Sequence, residues 1–243
     1  MFFHQMSAPE LEAFESAIET MIKIFGESGV FAADNLITFN RNISFGGDAA
    51  FLGAFQEAAR THQDKSLIWR LHVLCWAARH ATHIPGDFVE CGVYEGLSAL
   101  TVAKYLKLET LEKQLWLYDL FDHSTVSAGT LMPAHGPALL RRVTERFSGF
   151  PKTRIIPGLI PDSFEQGLPE AVSWFHLDLN NAEAETAALA HLFERLTPGG
   201  LLILDDYGWQ RHRDQRDAAD HFARERGHCI LELPTGQGLL IKH

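Results

Sequence analysis

From Gly86 onwards, the chain alternates short apolar runs with stretches of helical periodicity. This alternation is typical of a parallel sheet whose strands are joined by crossover helices. The sequence therefore predicts the α/β fold class with a mostly parallel sheet. The predicted strands are residues 87–91, 115–121, 153–158, 173–178 and 201–206.

Helical patterns lie between these runs. In the fourth helical stretch, leucine and phenylalanine recur at helical spacing up to Leu196, and "TPGG" is expected to end that helix. The last residues, "CILELPTGQGLLIKH", predict an antiparallel hairpin around "TGQG". The predicted helices are residues 97–106, 137–147, a short one near Asp162, 183–196 and 214–226.

The residues before Gly86 predict a helical extension. Apolar side chains recur at intervals of three and four from Leu11 to Phe25, and Gly26 follows where a helix would end. Two further helices are expected at about 48–60 and 66–82, with the irregular segment "NLITFNRNISFGGD" before them. The change of pattern predicts an extension over 1–85 and a main domain over 86–243.

The charge balance argues against a nucleic-acid partner. The chain has 21 Lys and Arg against 31 Asp and Glu, a net charge of −10. Such a surface repels phosphate backbones and suits a small-molecule ligand better.

The cysteines and the N-terminus predict a cytoplasmic protein. Cys75, Cys91 and Cys229 are an odd number in apolar surroundings, which favours reduced core thiols. The first residues lack a basic start and a long apolar block, so we expect neither a signal peptide nor a membrane span.

Polar residues and glycines follow the first predicted strand. Glycines allow sharp turns and the approach of a ligand to the backbone, and the next helix offers unpaired N–H groups to a carboxylate or phosphate. An ordinary strand-to-helix turn is the alternative. The pattern E-x-G-x-x-x-G differs from the G-x-G-x-x-G of dinucleotide sites, which argues against a nicotinamide or flavin. The candidate residues are Glu90, Gly92, Tyr94, Gly96 and Ser98.

Acids follow three other strands. Asp119, after the second, can accept hydrogen bonds from both ribose hydroxyls, which indicates an adenosine-bearing cofactor, although a turn residue is the alternative. Asp178 follows the fourth strand, and Asp205 and Asp206 follow the fifth. If these two strands are neighbours about 5 Å apart, three carboxylates could bind one divalent cation. Alternatively, some of them point outward or cap a helix.

The motifs from Ile84 to Gly208 together resemble the macrocin O-methyltransferase family of class I S-adenosylmethionine-dependent methyltransferases. They are "IPGDFVECGVYEGLS", "LYDLFD", "GLIPDSF", "FHLDLNN" and "LTPGGLLILDDYG". The resemblance implies a Rossmann-like sheet, S-adenosylmethionine as cofactor, and a hydroxyl of a sugar or phenolic secondary metabolite as acceptor.

The resemblance also implies roles for individual residues. The first loop is similar to that of catechol O-methyltransferase, which implies that Ser98 and nearby backbone hold the methionine carboxylate and that Asp119 holds the ribose. Phe121, Asp162 and Ser163 would border the adenine, and Asp178, Asp205 and Asp206 would bind Mg²⁺.

The chain departs from these patterns at three positions. Asn180 replaces the second acid of the family pattern H-x-D-x-D-x-Y, whose tyrosine is also absent. Asn181 stands where the catechol enzymes have a lysine base.

The expected reaction is an in-line methyl transfer to an oxygen whose proton is removed by Asp178, His123 or His212. Bound Mg²⁺ would lower the pKa of the hydroxyl. A metal-independent methyltransferase, a nicotinamide oxidoreductase and a non-catalytic cofactor-binding module are the alternatives. Apolar stripes on the N-terminal helices suggest a lid or a homodimer contact.

Overall fold

The computed structural model describes residues 6–123 and 132–243. No helix within these ranges is both long and apolar enough to cross a lipid bilayer. The N-terminal part contains four helices and a two-stranded sheet within the described residues. These elements are α1 (Ala8–Phe25), β1 (Val30–Ala33), β2 (Leu36–Phe39), α2 (Ala49–Ala58), α3 (His62–Ser66) and α4 (Ile68–Ala81).

The hairpin β1–β2 corrects the expectation of an irregular segment. Asp34 and Asn35 form the two-residue turn, with left-handed φ values of 51° and 58°. Asp and Asn tolerate this region, and a two-residue hairpin turn of type I′ requires it at both turn residues. The apolar and β-branched residues on either side were a strand signal that the Asn-rich composition obscured.

The central sheet has seven strands in the order β5-β4-β3-β6-β7-β9-β8. The pairs among β3 to β7 are parallel, whereas β9 pairs antiparallel with β7 and β8. The predicted α/β class and antiparallel C-terminal strand are therefore confirmed. In chain order the elements are β3 (Asp87–Cys91), α5 (Leu97–Leu106), β4 (Leu115–Asp119), α6 (Leu139–Arg146), β5 (Thr153–Pro157), β6 (Val172–Leu177), α7 (Ala182–Leu192), β7 (Leu196–Leu204), α8 (Arg213–Glu225), β8 (Leu231–Glu232) and β9 (Gly238–Ile241).

The prediction that "TPGG" ends a helix is wrong. Helix α7 ends at Leu192, a 3₁₀ turn covers Phe193–Arg195, and "TPGG" lies inside β7. The Gly199 N–H donates to the carbonyl of Lys242 at 2.7 Å, so tertiary pairing holds this segment in the sheet. The pairing register of β6 and β7 shifts here, which lets the sheet accommodate the irregular sequence.

Alternate residues of each strand enter two different cores. Phe88 and Leu117 join the cluster formed with α2, α4 and α5, whereas Val89 and Tyr118 join the cluster formed with α7 and α8. Helices α2 and α4 of the N-terminal part therefore share a core with the sheet. Whether residues 1–85 act as a lid stays a prediction.

The cysteine prediction is correct for two of three residues. Cys75 and Cys91 are buried free thiols, but Cys229 is exposed. Cys229 precedes the short edge strand β8, where Leu231 is 61% exposed. An apolar neighbourhood in the sequence is therefore not buried at this edge.

Candidate active site

The loop after β3 packs directly on the chain that follows β6. Gly92 has a φ of +92°, and a Cβ at this position would lie 1.7 Å from the carbonyl oxygen of Asp178. The Asp178 N–H in turn donates to the Cys91 carbonyl at 2.8 Å. Gly92 is therefore required by a close backbone contact, whatever ligand the loop accepts.

Asp119 anchors this loop from the end of β4. Its Oδ2 accepts the backbone N–H groups of Val93 and Tyr94, both at 2.7 Å, and its Oδ1 accepts the N–H of Phe121 at 2.6 Å. An ionised carboxylate offers about four lone-pair sites, so Asp119 retains capacity for a further donor. The residue predicted to hold a ribose thus also holds the loop in shape.

The other predicted residues of the first loop lie at the start of α5. Gly96 has a left-handed φ of 78°, and a Cβ there would lie 2.9 Å from Phe147 Cε2. Ser98 is half-buried in the first turn of α5, beside the unpaired N–H groups of a helix N-terminus. The Tyr94 hydroxyl accepts the N–H of Ala134 at 2.9 Å.

The segments predicted to border an adenine run side by side. The Gly158 N–H, after β5, donates to the Asp119 carbonyl at 2.9 Å. Phe121 and Ser163 are 1% and 2% exposed, so their side chains pack into the protein, whereas Asp162 is exposed. Their role toward an adenine stays a prediction.

His123 lies on the same side as Asp119. Its ring stacks on that of His135 with centroids 3.9 Å apart. Among the described residues, Asp119, His123 and His135 are the group whose potential ligand atoms all lie within 4.8 Å of one another. His123 follows β4, which is separated from β7 by β3 and β6. Residues 124–131 lie outside the described residues.

The two acids after β7 contact a buried arginine from α4. The Arg70 Nε donates to Asp34 Oδ2 at 2.7 Å, and its NH1 donates to Asp205 Oδ2. NH1 also lies 3.6 Å from Asp206 Oδ1. Arg70 is 6% exposed, so this guanidinium neutralises the cluster from inside the protein.

Asp205 has partners on both oxygens. Gln237, directly before β9, donates through Nε2 to Asp205 Oδ1 at 2.9 Å. His176 Nε2 lies 3.4 Å from the same oxygen. Burial alone would raise the pKa of Asp205, but the charge of Arg70 and the contacts with His176 and Gln237 hold it below its ordinary value.

A row of buried charges crosses the sheet behind this acid. His176 in β6 is opposite Glu90 in β3, and its Nδ1 lies 3.6 Å from Glu90 Oε1. Burial by itself would lower the pKa of His176, but the two neighbouring carboxylates raise it to about 10. Burial also raises the pKa of Glu90. Glu90 is buried and faces His176 in the core.

A second network starts at Asp206. His212 Nε2 lies 3.7 Å from Asp206 Oδ2, and His212 Nδ1 contacts Gln215 Oε1. Gln215 Nε2 donates to Glu185 Oε1 at 2.5 Å. Burial raises the pKa of Glu185 to about 8. The series of side-chain contacts from Glu185 through Gln215 to His212 and Asp206 thus fixes the orientation of the His212 imidazole.

The ends of β6 and β7 are neighbours, as predicted. The Asp205 N–H donates to the Leu177 carbonyl at 3.0 Å. Their acids do not form a ready-made metal site. In the described chain, the carboxylate oxygens of Asp178, Asp205 and Asp206 do not all lie within 4.8 Å of one another. The Asn180 side-chain amide donates through Nδ2 to Asp178 Oδ1 at 3.2 Å. Burial and the charges of Asp205 and Asp206 raise the pKa of Asp178. The arrangement around Arg70 therefore does not fit a bound Mg²⁺.

The sequence interpretation missed several of these residues. Arg70 and His176 interrupt the apolar runs "LIWRLHVL" and "VSWFHL", and a charged or titratable residue inside such a run is a usable signal. Gln215, Gln237 and Glu185 carry no such signal. Asn181 caps α7, since its Oδ1 accepts the Ala184 N–H at 2.9 Å.

Several known proteins are similar to this chain. The family model described as macrocin-O-methyltransferase (TylF) matches residues 68–230. One relative, from Streptomyces olivaceus, is 8-demethyl-8-(2,3-dimethoxy-alpha-L-rhamnosyl)-tetracenomycin-C 4'-O-methyltransferase, 29% identical over 55% of this chain and 58% of its own. Another, from Micromonospora griseorubida, is mycinamicin III 3''-O-methyltransferase, 27% identical over 51% of this chain and 56% of its own. The chain thus covers under two thirds of either relative.

Two solved structures share the fold. The O-methyltransferase NovP superposes with a TM-score of 0.63 at 17% identity, covering 94% of this chain and 98% of its own. The calicheamicin methyltransferase CalS11 gives a TM-score of 0.56 at 14% identity, covering 98% and 95%. The sheet is therefore the Rossmann-like sheet of class I methyltransferases.

Proposed function

Since the chain belongs to the macrocin O-methyltransferase family, we propose that it transfers a methyl group from S-adenosylmethionine to a hydroxyl of a small molecule. The observation that carries this proposal is the loop from Glu90 to Ser98, which Asp119 fastens at the carboxyl edge of the sheet. Open α/β sheets bind their ligands at this edge. The Streptomyces relative is named for a rhamnosyl compound, and one CalS11 structure is named as a TDP-rhamnose methyltransferase. These names favour a sugar hydroxyl over a phenol as the methyl acceptor.

The residues after β3 and β4 would hold the cofactor. Ser98 and the N-terminal N–H groups of α5 suit the methionine carboxylate, because a helix N-terminus attracts negative charge. Asp119 would accept a ribose hydroxyl with its remaining lone pairs. Phe121, Asp162 and Ser163 lie along the segments that would border the adenine.

S-adenosylmethionine brings an already reactive sulfonium methyl, so the chain has to align the acceptor and accept its proton. His212 is the best placed base. Gln215 uses its amide N–H on Glu185, which leaves its carbonyl oxygen for the Nδ1–H of His212. The neutral tautomer that results carries its lone pair on Nε2, on the side of Asp206.

The proton balance is simple. The acceptor hydroxyl gives its proton to His212 Nε2, its oxygen bonds to the methyl carbon, and the carbon–sulfur bond breaks to leave S-adenosylhomocysteine. Asp178 is the second candidate base, since burial raises the pKa of this carboxyl. His123 is less suitable because it follows β4, away from Asp205 and Asp206.

Calorimetry with S-adenosylhomocysteine tests the cofactor site. We expect saturable heat for the wild-type protein and binding at least about tenfold weaker for Asp119→Asn, which loses charge at the ribose position. Asp217→Asn, an exposed acid on α8, is the matched control and should bind as wild type does. Absence of binding to folded wild-type protein would contradict the proposal.

A second assay addresses the acceptor. Radiolabelled S-adenosylmethionine is offered with a panel of rhamnose-bearing glycosides, nucleotide sugars and catechols. Transfer of label to a sugar hydroxyl supports the proposed substrate class. Transfer to catechols alone would favour the phenolic alternative.

A further inference from the structure

Arg70 is a fixed cation at the acid cluster. Besides its ion pairs with Asp34, Asp205 and Asp206, its NH1 lies 3.4 Å from the main-chain carbonyl oxygen of Asp205. The guanidinium also lies over the ring of Trp209, 4.9 Å from its centroid. These contacts come from the β1–β2 turn, the end of β7 and the segment after it, so the side chain is held from several sides.

The oxygens that a metal ion would need at Asp205 are already in use. Oδ2 accepts from Arg70, and Oδ1 accepts from Gln237 with His176 beside it. A metal ion at these oxygens would have to displace the guanidinium. That displacement would leave Asp34, which is 7% exposed, buried without its counter-charge, and such a state is costly.

The neighbouring residues also favour one resident cation over two. A divalent ion at the same carboxylates would lie within several ångströms of Arg70, where like charges repel strongly at low dielectric. Asn180 adds no negative charge to the cluster and donates its amide to Asp178 Oδ1. The acids are therefore balanced by protein groups.

We propose that Arg70 is the resident cation of this cluster and excludes divalent metal ions from it. If Arg70 excludes the metal, methyl transfer needs no metal ion. This consequence for catalysis rests on the function proposed above. The exclusion itself does not, because it concerns only the acids and the guanidinium. The N-terminal extension, through α4 and the β1–β2 turn, thereby supplies a charge to the acceptor side of the sheet.

Titration with Mn²⁺, followed by electron paramagnetic resonance, tests the exclusion without any assay of methyl transfer. We expect wild-type protein to bind Mn²⁺ at these acids more weakly than about 1 mM, and Arg70→Met to gain at least about tenfold in affinity, because removing the guanidinium leaves the carboxylates uncompensated. Arg79→Met, an exposed arginine on the same helix, should leave Mn²⁺ binding unchanged.

The double variant Arg70→Met/Asp205→Asn assigns the gained site, since it should lose the added affinity. Circular dichroism and a cooperative thermal transition establish folding, and Arg70→Gln replaces Arg70→Met if the latter does not fold. Tight Mn²⁺ binding to wild type that Asp205→Asn abolishes would overturn the proposal. So would the absence of any gain in the folded Arg70 variant.

Activity separates this inference from the proposed function. If methyl transfer occurs, a chelator should leave the wild-type rate unchanged. If cofactor binding fails in calorimetry while the Mn²⁺ results hold, the function is wrong and the role of Arg70 stands.

Discussion

At the scale of single residues, the buried pair Glu90 and His176 links stability to pH. His176 is 0% exposed, and its pKa is raised to about 10 from an ordinary value near 6.5. Between these values the folded chain holds a proton that the unfolded chain releases. The contribution of His176 to the free energy of unfolding is therefore complete below about pH 6.5 and is lost as the pH rises through about 10.

We predict that the free energy of unfolding of the wild-type protein falls with a slope of up to about 1.4 kcal/mol per pH unit between pH 7 and 9 from this group. His176→Gln should flatten the slope, and His62→Gln, an exposed control on α3, should not. Urea unfolding at several pH values measures both. An unchanged slope in His176→Gln would show that the imidazole is neutral in the folded state.

The orientation of His212 gives a second prediction at this scale. Gln215→Leu removes the acceptor of the Nδ1–H while leaving the imidazole in place, so the productive tautomer loses its support. We expect kcat to fall about tenfold, with an unchanged Kd for S-adenosylhomocysteine.

His212→Gln should lower kcat about 100-fold. Gln210→Leu, an exposed glutamine two residues before His212, is the matched control. Long-range ¹H–¹⁵N spectra report the tautomer directly. A wild-type signal for the Nε2–H tautomer would contradict the assignment.

At the scale of elements, α1 is an amphipathic helix with little packing. Within residues 6–123 and 132–243, no side chain of this helix is buried, and Leu11 and Ile24 are 46% and 68% exposed. Helices in proteins take most of their stability from tertiary packing of an apolar face. Its capping box at Ser7 and Glu10 defines the start of the helix but cannot replace a packed face.

We predict that α1 contributes to a homodimer contact, as its apolar stripe suggests. The double variant Leu11→Glu/Ile18→Glu should shift the mass in light scattering from dimer to monomer, because it places charge on the stripe. Ser16→Glu adds a charge at an exposed position of the same helix and should not. A monomeric wild-type protein would remove this role.

At the scale of the whole molecule, the boundary at residue 86 is not a boundary of packing. Phe51, Leu71 and Leu74 of the extension lie in the same core cluster as Phe88 and Leu117 of the sheet. Two ion pairs also join the extension to the main domain. Arg70 pairs with Asp205, and Lys104 Nζ lies 2.6 Å from Glu57 Oε2.

The shared core predicts one cooperative unfolding transition for the whole chain. Circular dichroism and tryptophan fluorescence should give coincident midpoints. Leu74→Ala in α4 should lower the midpoint measured by both probes, because the cavity that it creates in the common core lowers the free energy of unfolding by about 2–5 kcal/mol. Separate transitions would instead indicate that the extension folds independently.

From Gly86 onwards, the sequence by itself determined the order of strands and helices and placed the first loop and Asp119 at strand ends, because hydrophobic periodicity and strand-end chemistry are local signals. It also placed Asp178, Asp205 and Asp206 at one edge, since parallel strands end together. Only the tertiary structure decided what balances these acids. Arg70 meets Asp205 across 135 positions of sequence, and His176 meets Glu90 through the register of two strands. Such pairings depend on packing of the whole chain, so no local pattern records them.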